Sequence, residues 1–321
     1  MRHLLPLSLL FLAGSVSVFA AVDSGLLALV PSGAKLITSV DIEHARSSQF
    51  GQYMLNRIDT EDPHFEQLIR ETGFDPRRDL QDFIFASPGA QAENGETGFV
   101  ILARGMFDPD RIKSAAKARG AVIKTYQGVD MILDKSNNQK TGVAFPEVGV
   151  AIMADSATLR QIIANRDNSG SLDPDLRNMV FNVGAHNDAW FVSLLGGSYL
   201  THHLNEETKQ PLQQAQALES ILESSGGIRF GDVVQLSFDA KTRSPKDATS
   251  LADVIRFLGS LLQMQRQSDA KLDILASALD QMNLTTAGDS VHLSISMPEK
   301  SLEQLADMRD KPGARAHHQA Q

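Results

Sequence analysis

The sequence predicts an α+β protein of two similar halves, each an antiparallel sheet with helices packed on one face. Three observations carry that prediction. A strand, a turn and a helix follow one another from Val233 to Met264. A strand, a cap-like residue, a proline and a helix recur at Val100 to Lys117 and at Val291 to Leu305. Short strands centred on Val122, Met131, Val143 and Val148 to Met153 succeed one another with no helix between them, as hairpins do.

The Val233–Met264 stretch is the most legible. Val234, Leu236 and Phe238 point to one side of a strand. Ser244 can accept a bond from a free N–H of the first helical turn, and Pro245 fits the first helical position because it has no N–H to satisfy. Asp247 complements the positive end of the helix dipole. Leu251, Val254, Ile255, Leu258, Leu261 and Leu262 then fall on one stripe.

The chain opens with Arg2, an apolar run from Leu4 to Leu12, and small residues ending Val18-Phe19-Ala20. That is the pattern of a cleavable signal peptide over residues 1–20, with Ala20 the last residue removed. The run is too short, and too broken by Pro6, Ser8, Gly14 and Ser15, for a membrane anchor. No cysteine follows to carry a lipid, and no second apolar segment spans a bilayer, so the mature chain is expected in the periplasm or the medium. The absence of cysteine also excludes disulfides, thiol catalysis and thiolate metal sites. Losing Arg2 takes the formal charge from -9 to -10, which makes nucleic acid and anionic lipid poor partners. One tryptophan and three tyrosines do not furnish a carbohydrate-stacking groove.

In order along the chain, Ala34 to Ile42 reads as a strand after the Pro31-Ser32-Gly33 turn. A helix or loop runs through Phe50, Tyr53 and Leu55, and Asp62-Pro63 opens a helix that Gly73 closes at C′. Asp75 to Asp79 is a turn before the Phe83-Ile84-Phe85 strand, and Gln91 to Gly98 is a hairpin loop. Asp108-Pro109 starts a helix with Ile112, Ala115 and Ala116 inward, and Asp155 or Ser156 caps the helix through Leu159, Ile162 and Ile163. The polar Asn165–Ser171 segment divides an N-terminal half, 21–165, from a C-terminal half, 172–308. There Asp173-Pro174 opens a short helix, Trp190 to Leu195 is a strand, and a helix spans Pro211 to Ser224 on Leu212, Ala215, Leu218 and Leu222. After Met264 come a helix on Leu272, Leu275, Leu279 and Met282, a strand from Val291 to Ile295, and a last helix after Met297-Pro298. The tail, 309–321, lacks an apolar period and reads as disordered. The recurrence of one unit makes an internal duplication the favoured origin of the two halves.

Several constellations imitate chemistry. Ser32-Gly33-Ala34-Lys35, Ser136-Asn137-Asn138 and Lys140-Thr141-Gly142 match the S-x-x-K, S-x-N and K-T-G motifs of penicillin-binding proteins in order. In those proteins the serine starts a helix so that the lysine lies one turn on; here Pro31 and Gly33 bracket it and a strand follows. Asn165, Asp167, Ser169, Gly170 and Asp173 fall at EF-hand loop positions, but Leu176 stands where a bidentate glutamate is needed, which leaves a weak calcium site or a plain polar loop. His202-His203 with Glu206-Glu207 lacks a third ligand, and His317-His318 lies in the tail. Gly196-Gly197-Ser198 does not complete G-x-S-x-G because Leu200 takes the last position. Asp41 and Glu43 close the first strand, where turn-capping is the plainer role. No catalytic, cofactor or metal residue is therefore assigned, and no cofactor is expected.

Leu29-Val30-Pro31, Ala34, Val40-Asp41, Ser47-Ser48 and Gly51, and more faintly Gly73-Phe74-Asp75-Pro76, resemble the opening of a group of secreted bacterial proteins with a Pro-x-x-Ala…Val-Asp segment. That group carries no assigned activity, so the resemblance implies secretion and an α+β plan and adds no catalytic residue. The expected function is a non-catalytic secreted or periplasmic binding or scaffolding protein, with an envelope protein or a small ligand as partner. The alternative is a hydrolase whose residues meet only in the fold. It would require His44, His64, His186 or His292 in a cleft, with a carboxylate behind and a hydroxyl before it. A third reading docks an assembly partner on the Leu251/Leu258/Leu262 stripe, and full burial of that stripe would count against it.

Overall fold

A computed structural model describes residues 22–56, 63–89, 98–135, 140–167, 172–199, 201, 215–268 and 270–310, with the side chains of 63, 64, 215, 268 and 308–310 excepted. The signal segment, Asp62, most of the Gln91–Gly98 loop, Ser136 to Asn138, Ser169 and Gly170, the side chain of His64, the His202–Glu207 cluster, Pro211-Leu212 and His317-His318 lie outside the described residues.

The N-terminal block runs α1 (Ser24–Ala28), β1 (Leu36–Asp41), α2 (Ile42–Ser47), α3 (Gln49–Asn56), α4 (Pro63–Thr72), α5 (Pro76–Asp79), β2 (Leu80–Ser87), β3 (Val100–Gly105) and α6 (Pro109–Ala118). It ends with β4 (Val122–Tyr126), β5 (Val129–Leu133), β6 (Thr141–Glu147), β7 (Val150–Asp155) and α7 (Ser156–Asn165). The C-terminal block runs α8 (Pro174–Gly184), β8 (Ala189–Ser193), α9 (Ala215–Glu219), β9 (Ile221–Arg229), β10 (Val233–Thr242) and α10 (Pro245–Met264). α11 (Ala270–Leu279), β11 (Asn283–Ala287), β12 (Ser290–Pro298) and α12 (Glu299–Asp310) complete it. Helix starts follow the local chemistry. Asp75, Asp108 and Asp173 each cap a helix whose first residue is proline, Asp155 accepts from Ala157 and Thr158 N–H, and Ser244 accepts from Asp247 N–H. Gly73 stands past the end of α4 with φ 76°, the left-handed conformation that glycine alone adopts freely.

The class is α+β, and the strands form one antiparallel sheet of twelve in the order β11-β12-β10-β9-β8-β1-β2-β3-β7-β6-β5-β4. The blocks share that sheet through the β1–β8 pair rather than closing two separate ones. Each block sends three strands outward in sequence, leaves the third through a helix (α6 or α10), and brings its last strand back beside the third.

Ladder partners lie on the same face, so one row shows how the sheet is covered. Trp190, Ser39, Ile84, Leu102, Ile152, Ala144 and Met131 are successive partners across β8, β1, β2, β3, β7, β6 and β5, and all are buried. Leu26 and Leu27 of α1, Leu159, Ile162 and Ile163 of α7, and Leu176, Val180 and Val183 of α8 join them in the larger core. Beyond Trp190 the same row becomes Gly227, Ser237, Ser294 and Asn283. The opposite face is the apolar one there. Ala240, Val291, Phe238 and Leu284 pack with Ala248, Leu251, Ala252 and Ile255 of α10 in a second, smaller core. Helices thus cover opposite faces at the two ends of the sheet.

Several segments differ from the sequence reading: Asp75 to Asp79, read as a turn, holds α5, and Met297-Pro298, read as a helix start, closes β12. Of the helix expected over Pro211 to Ser224, Ala215 to Glu219 is helical, residues 211–214 lie outside the described residues, and Ile221 onward is β9 instead. Gly226 and Gly227 explain why that strand is hard to read. A Cβ on the first would sit 2.7 Å from the Phe191 ring, and on the second 2.2 Å from the Asn187 side chain, so the strand keeps glycine where neighbours approach. β11 is a largely exposed edge strand with little apolar signal. The helix over Pro109–Ala118 buries none of its residues fully.

Candidate functional site

Two places break the rule that charge lies outside and hydrocarbon inside. The first is one end of the sheet. Asp41, Asp82 and Arg104 are successive ladder partners on β1, β2 and β3, so their side chains share a face. Asp23 reaches them from the N-cap of α1, accepting from Gly25 and Leu26 N–H at 2.9 Å while Arg104 donates to its carboxylate. Burial opposes the charge on Asp23, but the Arg104 hydrogen bond and the two N–H groups outweigh it and hold its carboxyl below the usual range. Asp82 goes the other way: burial, then the negative charges of Asp41 and Asp23, push it up to about 6 against the pull of Arg104.

Beside this row, α2 places His44 over the end of β8. Asp41 Oδ1 accepts from His44 N–H at 2.7 Å, so Asp41 is the helix cap that turn chemistry suggested. The His44 ring contacts Asp188 through Nδ1 at 2.5 Å. Asp188 is 4% exposed. Its second oxygen accepts from Phe230 N–H at 2.6 Å, its own N–H donates to Ile228 O, and its carbonyl accepts from Asp41 N–H. One carboxylate residue therefore ties β1, α2, β8 and β9 together. A neutral ring donating from Nδ1 leaves a lone pair on Nε2, the arrangement a general base needs. Among the described residues nothing is hydrogen-bonded to that Nε2.

His292 also meets a carboxylate, Asp239, at 2.6 Å, but the two are cross-strand neighbours on the open face and both are about half exposed. His186 Nδ1 lies 3.0 Å from Asn182 O, one turn back in α8. None of these histidines lines the described clefts. Two adjoining clefts of about 210 and 180 Å³ flank Pro31, between the α1–β1 turn and Gln161 of α7. A polar one of about 590 Å³ lies between α9 and α10, lined in part by Glu219, Lys246, Asp247 and Val254.

The imitation motifs are not assembled. Ser32 lies in the turn between α1 and β1, and Lys35 is half exposed with its ammonium 3.9 Å from Asp173. Gly142 is an interior residue of β6. Leu176, at the last EF-hand position, is buried core, and Asp173 caps α8. Gly197 belongs to packing: a Cβ there would overlap the Leu218 carbonyl at 1.6 Å. Among the described residues no cluster of three or more His, Asp or Glu could hold a metal ion, and no helix is long and apolar enough to cross a membrane.

The second place is α10. Its N-terminal half buries Ala248, Leu251 and Ala252 on the sheet. Its C-terminal half leaves Phe257 52%, Leu258 47%, Leu261 40% and Met264 83% exposed, with Val254 half-buried behind them. Helical spacing turns Phe257, Leu261 and Met264 away from the sheet, while Leu258 stands seven residues after buried Leu251 at the edge of the covered face and Val254 lines the cleft beside α9. Sequence reasoning found the stripe through Val254, Leu258 and Leu261 but left out Phe257 and Met264, which stand on its outer side.

Comparison with known proteins yields no match: no family model fits the sequence, and no curated protein and no solved structure is similar to it.

Proposed function

We propose that this chain is a non-catalytic binding or scaffolding protein of a bacterial envelope or culture medium, and that α10 is its docking element. The observation that carries this reading is the row Phe257, Leu258, Leu261 and Met264, left open on a helix that buries Ala248, Leu251, Ala252 and Gly259. A continuous apolar row on a helix is a common recognition surface, whereas scattered exposed apolar residues have no such meaning. The envelope location rests on the signal pattern of residues 1–20 and on the absence of cysteine. The shared strand order and crossover plan of the two blocks supports an origin by internal duplication.

The test is capture from the envelope fraction with tagged mature protein beside a Leu261→Asp variant. A partner retained by the first and lost by the second supports the reading; an unchanged set of partners removes α10 from it. N-terminal sequencing of the exported chain, expected to start at Ala21, tests the location.

A hydrolase remains the second reading because of the His44–Asp188 pair. It requires a reactive hydroxyl near Nε2. Labelling by a fluorophosphonate probe that His44→Gln abolishes would establish it; no labelling is expected.

A further inference from the structure

We infer that the first turn of α12 is a pH-sensitive latch: Glu299 holds the helix in place while its carboxyl is neutral and loosens it when the carboxyl ionises. The latch is independent of the docking reading of α10.

The argument starts from one side chain. Glu299 opens α12 directly after β12, and its N–H donates to the Asp232 carbonyl at 3.2 Å. The residue is only 6% exposed, and its Oε1 is buried with no hydrogen-bond partner. A charged carboxylate ordinarily gains from the first turn of a helix, because free N–H groups point at it. Here Oε1 takes no bond from them. A buried carboxyl left in this way costs far more when charged than when it holds a proton.

The surroundings offer it no cation. α12 packs on α3, α11 and β12. α3 brings Tyr53, whose hydroxyl lies 3.1 Å from the Glu303 carbonyl and also meets Asp307, tying the later turns of α12 to α3. β12 brings His292, held by Asp239, and α11 brings Lys271 and Asp273, the latter paired with Arg266. None of these bears on Glu299. The charges that do are Glu303, one turn on in the same helix, and Asp232, before β10, and both are negative. Burial first, then these two carboxylates, raise its carboxyl above the ordinary 4.5. The docked helix thus holds a proton that the released helix gives up. Docking is fully favoured below 4.5 and weakens as pH rises through the raised value. The cover over Glu299 is thin, so the response is a local opening of α12 rather than loss of the fold.

The experiment is hydrogen exchange of the full mature chain, read by mass spectrometry at about pH 5 and about pH 7.5, with exchange times scaled for the intrinsic rate. Amides of α12 should lose about tenfold of their protection at the higher pH, the factor that one unit of raised pKa supplies, while those of β7 keep theirs. Glu299→Gln, neutral at every pH, should keep α12 protected at both. Asp82→Asn, which removes the raised carboxyl at the sheet end, should leave the response of α12 unchanged. Asp232→Asn takes away one of the two negative neighbours and should move the loosening to lower pH, which keeps the latch testable if Glu299→Gln fails to fold. Equal protection of α12 at both pH values in the wild type overturns the inference, as does the same loosening in Glu299→Gln or an unmoved transition in Asp232→Asn. Reclosure at the higher pH by about 1 mM calcium would make Glu299 a cation ligand instead, and overturns the latch as well.

Discussion

The charged end of the sheet and the open row of α10 are opposite exceptions to the same rule. At the first, carboxylates are taken out of water: Asp188 is almost fully buried, and Asp82 sits among Asp41 and Asp23. At the second, hydrocarbon is left in water. Asp188 and Asp23 explain themselves within one copy of the chain, because Asp188 accepts two hydrogen bonds and joins four segments and Asp23 is paired with Arg104, while Asp82 carries a penalty when charged. The exposed row has no such internal account. The contrast teaches that a buried polar group with its bonds made belongs to the fold, while a continuous exposed apolar row is the kind of surface on which the docking proposed for α10 would rest.

Five substitutions separate the two kinds of site, from the largest expected effect to the smallest. Leu251→Ala, at the buried start of the same helix, should destabilise by about 3–4 kcal/mol in urea denaturation, as cavity-forming changes do. Asp188→Ala should destabilise by about 2–3 kcal/mol, because the Phe230 N–H and the His44 ring both lose their acceptor; a loss under ~0.5 kcal/mol would mean that the staple is decoration.

Asp82→Asn works in the other direction and depends on pH. Its carboxyl is raised from 3.8 to about 6 in the folded chain, so between those values the folded state holds a proton that the unfolded state has released. Wild-type stability therefore falls as pH rises through this window, and the penalty is complete above about 6. Asn does not titrate. The variant should gain about 1–2 kcal/mol at pH 7, and the gain should vanish near pH 4; thermal unfolding at both pH values checks the sign.

Asp239→Asn and Phe257→Ser should each stay within about 0.5 kcal/mol of wild type, since one breaks a solvent-exposed pair and the other removes an exposed ring. The near-equality of 2.5 Å at His44–Asp188 and 2.6 Å at His292–Asp239 makes the comparison sharp. If Asp239→Asn matched Asp188→Ala, distance rather than burial would govern, and the distinction drawn between the two sites would fail.

Much of the fold was legible. Prolines after Asp108, Asp173 and Ser244 marked helix starts because capping is settled within four residues, and Gly73 marked an end for the same reason, whereas Asp75-Pro76, read as a turn, opens the short α5. The short strands of the N-terminal block were legible because their buried faces are apolar in alternation. β9 and β11 were not. Gly226 and Gly227 are selected by Phe191 and Asn187, which reach them from residues more than thirty positions away, and an edge strand such as β11 has little to bury.

The site divides in the same manner. Asp41 as a cap and the α10 stripe as an apolar row could be read from neighbours in sequence. That His44 would meet Asp188, 144 residues on, could not, because the sheet order brings β8 beside β1. By itself the sequence determined the class, most helix starts and the existence of the Leu251-to-Leu262 stripe, since these depend on interactions spanning at most a few turns. Tertiary structure alone decided that one sheet joins both blocks, that helices cover opposite faces at its two ends, and where along α10 the cover stops. Those follow from which strands pair and how far a helix overhangs them, quantities that no local pattern encodes.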